Sequence, residues 1–245
     1  MTRLKICLLF LICVFYVKAF GQDHSLKDVS PLNRFHHEEY GSFREYIARN
    51  VYFPPEAFEN TGVLLAGMVL DTDGGVKQVF SFNSLAPSID NNVLSLFEST
   101  KGYWKALDDS MATKKSEIVI VPVVFCMKGG EYNIDSSNFK LQIQDEVVVT
   151  VFIESQLATA TNYQKSEVVL NKYDKLMSKE RYPEAYEIMV ELLRREPLNT
   201  DYYSRLIMLS SVLGDNESAC QNLKFVKTYF VNQPDPDIIS IVDCE

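Results

Sequence analysis

The first third of the chain combines helical and strand patterns of apolar residues. Apolar residues at helical spacing predict a helix over 43–50 that ends before Pro54, with a further helical turn starting at Pro55. Two apolar runs over 63–82 are separated by the turn residues of 71–75. Two such runs joined by turn residues predict a β-hairpin.

The next segments predict a helix and then more strands. Apolar residues at helical spacing predict a helix over 87–100 with Ser88 as its N-cap, and the apolar run 118–125 predicts a strand. Pro122 has no amide proton to donate, so we expect this strand at a sheet edge or with a bulge. A core strand buried on both faces is the alternative. Alternation over 139–153 predicts a second hairpin.

From residue 156 onward the pattern is helical without strand signals. The residues of 182–185 recur in weaker form at 216–219, and Ala185 and Ala219 are 34 positions apart. Each alanine stands where two antiparallel helices need a small side chain to approach closely. The 34-residue period resembles that of tetratricopeptide repeats, and a final helix near 238–242 would close the array.

The N-terminus resembles a secretory signal peptide over residues 1–21. Arg3 and Lys5 precede an uncharged run over 6–17, and small residues lead to Gly21. This run has 12 residues, whereas about 20 are needed to cross a bilayer. We therefore expect cleavage after Gly21, a periplasmic protein, and a polar tether over 22–38. An uncleaved anchor or a buried N-terminal helix is the alternative.

The charge of the chain argues against nucleic acid as a partner. The formal net charge is −9, and loss of Arg3, Lys5 and Lys18 with the signal peptide lowers it to −12. Phosphate backbones are bound chiefly by lysine and arginine, and the sequence has no basic stripe with interleaved aromatic residues. We therefore expect protein partners and no nucleic acid.

Three cysteines remain after the expected cleavage. Cys220 and Cys244 lie in the same C-terminal helical segment, and a disulfide between them would fasten the last element, with Cys126 left reduced. Three free buried thiols are the alternative, because sequence alone does not fix a pairing.

No motif for catalysis or for a cofactor is found. His36, His37 and the two glutamates that follow point in different directions on a helix or a strand, so a solvated segment is expected rather than a metal site. Asp71 and Asp73 are interpreted as turn residues, since the later ligand positions of a calcium loop are missing. We expect no enzyme activity, no cofactor and no metal.

The order of features over residues 43–127 resembles the TonB C-terminal domain. The residues that carry the resemblance are Pro54, Ala57, Gly62, Asp71, Asp73, Gly74, Val76, Trp104, Pro122 and Phe125. Three departures are Phe53 before Pro54, where tyrosine is usual, the shortened segment 59–61, where the family usually has a second glycine-containing step, and Ala106, where the family commonly has proline. The resemblance implies a small antiparallel sheet with helices that pairs a strand with a segment of an outer-membrane transporter. Without a long anchored spacer, the chain looks like a free-standing relative.

These features predict an α+β protein in consecutive segments. The TonB-like domain is expected over 39–130, a β-hairpin extension over 131–156, and an all-α tetratricopeptide-like domain over 157–245. Trp104 is expected to be a core aromatic residue.

The expected function is that of an exported, non-catalytic protein-binding module. Strand addition at the 118–125 edge is one expected binding mode, and a helical groove is the other. The residues expected to bind partners are Ile118, Val119, Ile120, Val121, Val123, Phe125, Tyr202 and Arg205. An outer-membrane transporter and a second copy of the chain are candidate partners. A periplasmic scaffold or chaperone acting mainly through the helices is the alternative function.

Overall fold

The computed structural model describes residues 30–54, 57, 60–106, 116–127, 132–151, 165–242 and 244. The expected signal peptide, the cleavage site, residues 22–29 of the expected tether and the turn at Pro55 lie outside the described residues. The rest of the expected tether, residues 30–38, was predicted wrongly: it contains a 3₁₀ helix and packs Phe35 into the same core as Trp104. Within the described ranges, no helix combines the length and the hydrophobicity that a membrane span requires.

Helices and strands are interspersed among the described elements up to β4, and the elements after β4 are all helices. In chain order they are a 3₁₀ helix Pro31–Arg34, α1 Phe43–Asn50, β1 Gly62–Asp71, β2 Val76–Ser81, α2 Pro87–Glu98, β3 Ser116–Met127, β4 Val147–Val151, α3 Ser166–Met177, α4 Tyr182–Arg195, α5 Thr200–Val212, α6 Asn216–Tyr229 and α7 Pro236–Ile241. This is a mixed α and β architecture, compatible with the expected α+β class.

Local signals explain where the first helices begin. The Ser42 side chain accepts a hydrogen bond from the amide of Glu45 and so caps α1. Helix α2 begins at Pro87, which needs no amide partner in the first turn. Its N-cap is Ala86, which provides no side-chain hydrogen bond, so the prediction of Ser88 as the cap was wrong.

The four described strands form one mixed sheet in the order β2-β1-β3-β4. β1 is antiparallel to β2 and β3, with Ala66 opposite Ser81 on one side and Val121 on the other. β3 and β4 are parallel, with Phe125 opposite Val149. The sheet is therefore not purely antiparallel, which corrects the expectation from the sequence.

Strand β3 lies inside the sheet, so the alternative of a core strand buried on both faces is confirmed and the edge position was wrong. The Ile120 carbonyl oxygen accepts from the Gln144 amide at 2.8 Å, on the β4 side. Residues two apart on a strand direct their backbone groups to the same side, so the nitrogen of Pro122 faces β4, as the carbonyl of Ile120 does. The hydrogen bonds between β3 and β1 therefore need no donor from Pro122. Opposite Pro122, the segment from Ile143 to Val147 has one residue more than β3 has from Ile120 to Val123. The regular pairing is therefore interrupted opposite Pro122, where β3 has no amide proton to donate.

Over residues 139–151, the described part of the segment, the second hairpin expected over 139–153 is not formed. Phe139 forms an isolated antiparallel bridge with Phe230 after α6, and the Lys140 amide donates to the Tyr229 carbonyl oxygen at 2.8 Å. From Lys140 the chain crosses to the sheet, where Ile143 forms a parallel bridge with Ile120 before β4 joins β3 in parallel. Within β4, Val147 and Val149 belong to one core and Val148 packs against the other, so both faces of the strand are covered.

The sheet is buried between two helical layers. Alternate residues of the central strands, such as Leu64 and Val121, share the first core with α1 and α2. The residues between them, such as Leu65 and Ile120, share the second core with α3, α4, α5 and α6. Burial on both faces explains why the central strands are continuous apolar runs rather than alternating ones.

Helices α3 to α6 form two hairpins with a regular period. The first helices begin at Ser166 and Thr200, and the second helices at Tyr182 and Asn216. Both pairs of starting residues are 34 positions apart. Ala185 and the equivalent Ala219 are fully buried, as the need for close helix packing predicts.

The helical layer meets the sheet closely at Gly62, the first residue of β1. A side-chain carbon at Gly62 would lie 2.4 Å from the carbonyl oxygen of Arg194 near the end of α4. Gly62 also has φ +154°, a conformation that other residues rarely adopt. Glycine is therefore required for this contact between β1 and α4.

Candidate functional site

The residues of β3 expected to receive a partner strand are not available for it. Val119, Ile120, Val121, Val123 and Phe125 are fully buried, and β3 is paired with β1 and β4 on its two sides. Ile118 is 45% exposed, which makes it the accessible member of the predicted set. Strand addition to β3 as predicted is therefore wrong.

The edge at β2 carries features that discourage further pairing. Lys77 and Gln78 are exposed on this short strand, and the register with β1 shifts between Val69 and Leu70. Lysine, short length and irregular register are common means of protecting a sheet edge.

The side chain of Asn83 protects β1 where β2 ends. It accepts a hydrogen bond from the Leu65 amide at 2.8 Å and donates to the Val63 carbonyl oxygen at 2.7 Å. One amide side chain thus satisfies two backbone groups that a longer β2 would have paired. The sheet offers few free backbone groups at this end.

The predicted groove residues Tyr202 and Arg205 lie on α5, facing α3. Arg205 lies 3.4 Å from a carboxylate oxygen of Asp174, and its guanidinium carbon lies 5.0 Å from the ring centre of Tyr173. The side chains of Arg205 and Asp174 are 39% and 62% exposed, whereas Tyr173 and Tyr202 are buried. We call these four residues the α3–α5 face.

The phenols of the α3–α5 face stay neutral at ordinary pH. Burial raises the pKa of Tyr202, and the nearby Glu196 carboxylate raises it further. Burial also raises the pKa of Tyr173, although Arg205 opposes this shift. The face therefore combines one cation, one anion and two neutral aromatic residues.

The two described histidines, His36 and His37, are not arranged as a metal site. His37 packs in an aromatic cluster, with ring centres 4.4 Å from Tyr103, 4.9 Å from Tyr40 and 5.5 Å from Tyr46. His36 is exposed beside it. In the part of the chain that the structure describes, no group of three or more metal-ligating side chains is found.

Trp104 and the turn at residues 71–75 are structural. Trp104 is buried, and its indole Nε1 donates to the Thr100 hydroxyl at 2.9 Å. The Asp71 carboxylate accepts from the amides of Asp73 and Gly75 at 3.1 and 2.6 Å, so the predicted turn is confirmed. Gly74 has φ +87°, and a side-chain carbon there would lie 2.1 Å from the Trp104 carbonyl oxygen.

The cysteines divide into a disulfide and a reduced thiol. Cys220 and Cys244 are joined, with their Cα atoms 5.6 Å apart, which ties the C-terminal tail to α6. Cys126 is free and partly buried. Burial raises the pKa of its thiol, while a contact with the Thr150 hydroxyl at 3.9 Å lowers it. A raised pKa keeps this thiol protonated and unreactive.

Sequence reasoning missed a cleft between the sheet and the helical layer, which we call the junction cleft. Its volume is about 310 Å³. Its lining residues come from the segment after β2 and from α4, α5 and α6: Phe82, Asn83, Ser84, Val190, Leu193, Arg194, Tyr203, Leu206, Gln221, Asn222 and Phe225. The signal in the sequence is Arg194, a charged residue that follows Leu193. It stands four positions after Val190 and so shares the apolar side of α4.

No protein-family model, curated protein or solved structure matches the chain. Function is therefore inferred from the chain's own residues.

Proposed function

We propose that the protein is an exported, non-catalytic module that binds a protein partner through its helical layer. The observation that carries the proposal is the 34-residue register of the two helical hairpins, with Ala185 and Ala219 buried at equivalent positions. This register supports a tetratricopeptide-like array, and arrays of that kind present an extended binding surface. We place the partner on the α3–α5 face.

The charge arrangement of the α3–α5 face suits an acidic or mixed-charge peptide. The Arg205–Asp174 pair is exposed at 3.4 Å, and exposed pairs of this kind contribute only about 0–1 kcal/mol. A carboxylate of the partner can therefore replace Asp174 at little cost. Tyr173 and Tyr202 are buried and act as support: the Arg205 guanidinium lies over the Tyr173 ring, which holds the exposed cation in place.

The sheet contributes a second element of the proposal. The order α1, β1, β2, α2 and β3 follows the order of the TonB C-terminal domain that the sequence resembles, which supports a TonB-like origin. Since β4 already pairs with β3, a transporter segment would have to displace it. We therefore assign the main partner contact to the helices, as in a periplasmic scaffold or chaperone. An outer-membrane transporter or a second copy of the chain is the partner class proposed.

Export to an oxidising compartment is part of this proposal. The Cys220–Cys244 disulfide supports it, because disulfides persist mainly outside the reducing cytosol. Mass spectrometry of the protein from its native cells should give an N-terminus at Gln22. An intact Met1 would contradict cleavage after Gly21.

Peptide-display selection with the purified protein tests the binding function. Enriched peptides should contain acidic residues, and Arg205→Glu should weaken their binding at least about tenfold, or 1.4 kcal/mol. Arg181→Glu is the matched control, because Arg181 is an exposed arginine paired with Glu184 outside the face. Failure to enrich any peptide, or equal binding by Arg205→Glu and the unchanged protein, would refute the proposal.

A further inference from the structure

The junction cleft combines an apolar lining with a single cationic group. Phe82 approaches from the sheet, while Leu193, Leu206 and Phe225 approach from three helices. Small-molecule sites in proteins are typically lined in this way, with a few polar groups that fix the orientation of the ligand. The cleft volume of about 310 Å³ lies at the lower end of the range for such sites.

Arg194 is the cationic group, and it has an unused donor. Its Nε is buried without a hydrogen-bond partner. None of the ion pairs between described residues includes Arg194. A buried donor without an acceptor costs about 1–3 kcal/mol, and more for a charged group. An acceptor supplied by a ligand would remove this cost.

Four other polar side chains around the cleft already make hydrogen bonds. Asn83 bonds to the backbone of β1, and the Asn222 amide nitrogen donates to the Ser218 carbonyl oxygen at 2.9 Å. The Ser84 hydroxyl donates to Asp90, and Gln221 donates to Glu217 at 3.1 Å.

Neither of these two acids belongs to the cleft lining, which contains no carboxylate among the described residues. The cleft therefore presents one uncompensated positive charge within apolar surroundings, and an anionic ligand would complement it.

We propose that the junction cleft binds a small carboxylic acid with an apolar body. The carboxylate accepts from the Arg194 guanidinium, since charged hydrogen bonds of this type are strong and directional. The apolar body lies among Phe82, Leu206 and Phe225. A dry cavity of about 150 Å³ holds benzene, so a cleft of twice that size fits a medium-length alkyl chain or a phenylalkyl group. This site is separate from the α3–α5 face and does not depend on the proposed function.

Isothermal titration of the purified protein with octanoate, 1-octanol and octylamine tests the charge requirement. Octanoate should bind, and the neutral and cationic analogues should bind at least about tenfold more weakly. Arg194→Gln should weaken octanoate binding by a similar factor, and Arg194→Lys should restore part of it. Arg181→Gln, which removes an exposed arginine outside the cleft, should leave octanoate binding unchanged. Equal binding of octanoate and octanol, or full binding by Arg194→Gln, would overturn the proposal.

A measurement on the unchanged protein covers the case in which Arg194→Gln does not fold. Nuclear Overhauser contacts should connect the octanoate methylene protons with the ring protons of Phe82 and Phe225. Contacts confined to other aromatic residues, or no octanoate binding, would refute the site.

A short peptide with an apolar C-terminal residue tests the alternative source of the carboxylate. We expect no displacement of octanoate by this peptide. Displacement together with tighter binding would show that the occupant is a peptide terminus, which would overturn the assignment to a free small acid.

Discussion

Replacing Gly62 by alanine should separate the helical layer from the sheet. The new methyl carbon would lie 2.4 Å from the Arg194 carbonyl oxygen and 2.8 Å from its carbonyl carbon. These are backbone atoms of α4, so no side-chain rotation can relieve the clash. Either α4 or β1 must move, and both belong to the second core.

Two costs add at Gly62. The φ of +154° is strained for a residue with a side chain, which costs about 1–3 kcal/mol. Overpacking against α4 costs about 1–3 kcal/mol more. We therefore expect Gly62→Ala to lower the free energy of unfolding by about 2–6 kcal/mol, measured by urea denaturation with circular dichroism detection.

Gly102→Ala separates the two costs. Gly102 has φ +94°, but a side-chain carbon added there would meet no atom within 4 Å, so alanine adds backbone strain without a clash. Gly62→Ala should be the more destabilising by about 1–3 kcal/mol. Equal losses in the two variants would refute the close packing of α4 on β1.

Two further substitutions test particular contacts. The Ser210 hydroxyl is buried without a partner, so Ser210→Ala should raise the free energy of unfolding by roughly 1 kcal/mol in the same urea assay. Ser204→Ala removes a hydroxyl that donates to the Thr200 carbonyl oxygen at 3.0 Å, and an equal effect of both variants would contradict this reasoning. Cys220 and Cys244 are 24 positions apart, and replacing both by serine should cost about 3–4 kcal/mol in thermal or urea unfolding. Cys126→Ser is the control for thiol loss, and an unchanged transition in the double variant would show that the tail is held by packing alone.

Local patterns predicted the elements whose partners are close in sequence. Helix α1 followed from apolar spacing and the β1–β2 hairpin from its turn residues. The helical hairpins followed from the recurrence of Ala185 at Ala219. In each case the spacing of buried residues repeats within a few positions, so the pattern of apolar residues in the sequence predicts the element.

Apart from the N-cap of α2, the incorrect predictions concern contacts between distant segments. Pro122 alone does not distinguish a sheet edge from an interior strand, because the irregular pairing opposite it lies on a separate segment, between Ile143 and Val147. Alternation over 139–153 does not distinguish a hairpin from a strand that pairs in parallel with β3. The partner-binding set on β3 was misplaced for the same reason, because burial of both faces follows from helices far along the chain.

For the candidate binding residues, too, local patterns predicted the helices, whereas the contacts between distant segments had to come from the structure. Tyr202 and Arg205 were identified from the helical pattern, but their contacts with α3 required the fold. Arg194 and Phe225 line one cleft only because α4 and α6 pack beside the segment after β2. No local pattern in the sequence predicts that arrangement.

The two-sided burial of the sheet also sets an order of assembly. β4 ends at Val151, whereas the helices that cover Val63, Leu65 and Ile120 are complete only at Tyr229. Until these helices have folded onto it, a finished sheet has one apolar side in water. A holding factor that protects newly exported chains from aggregation would therefore have its effect on this side of the sheet.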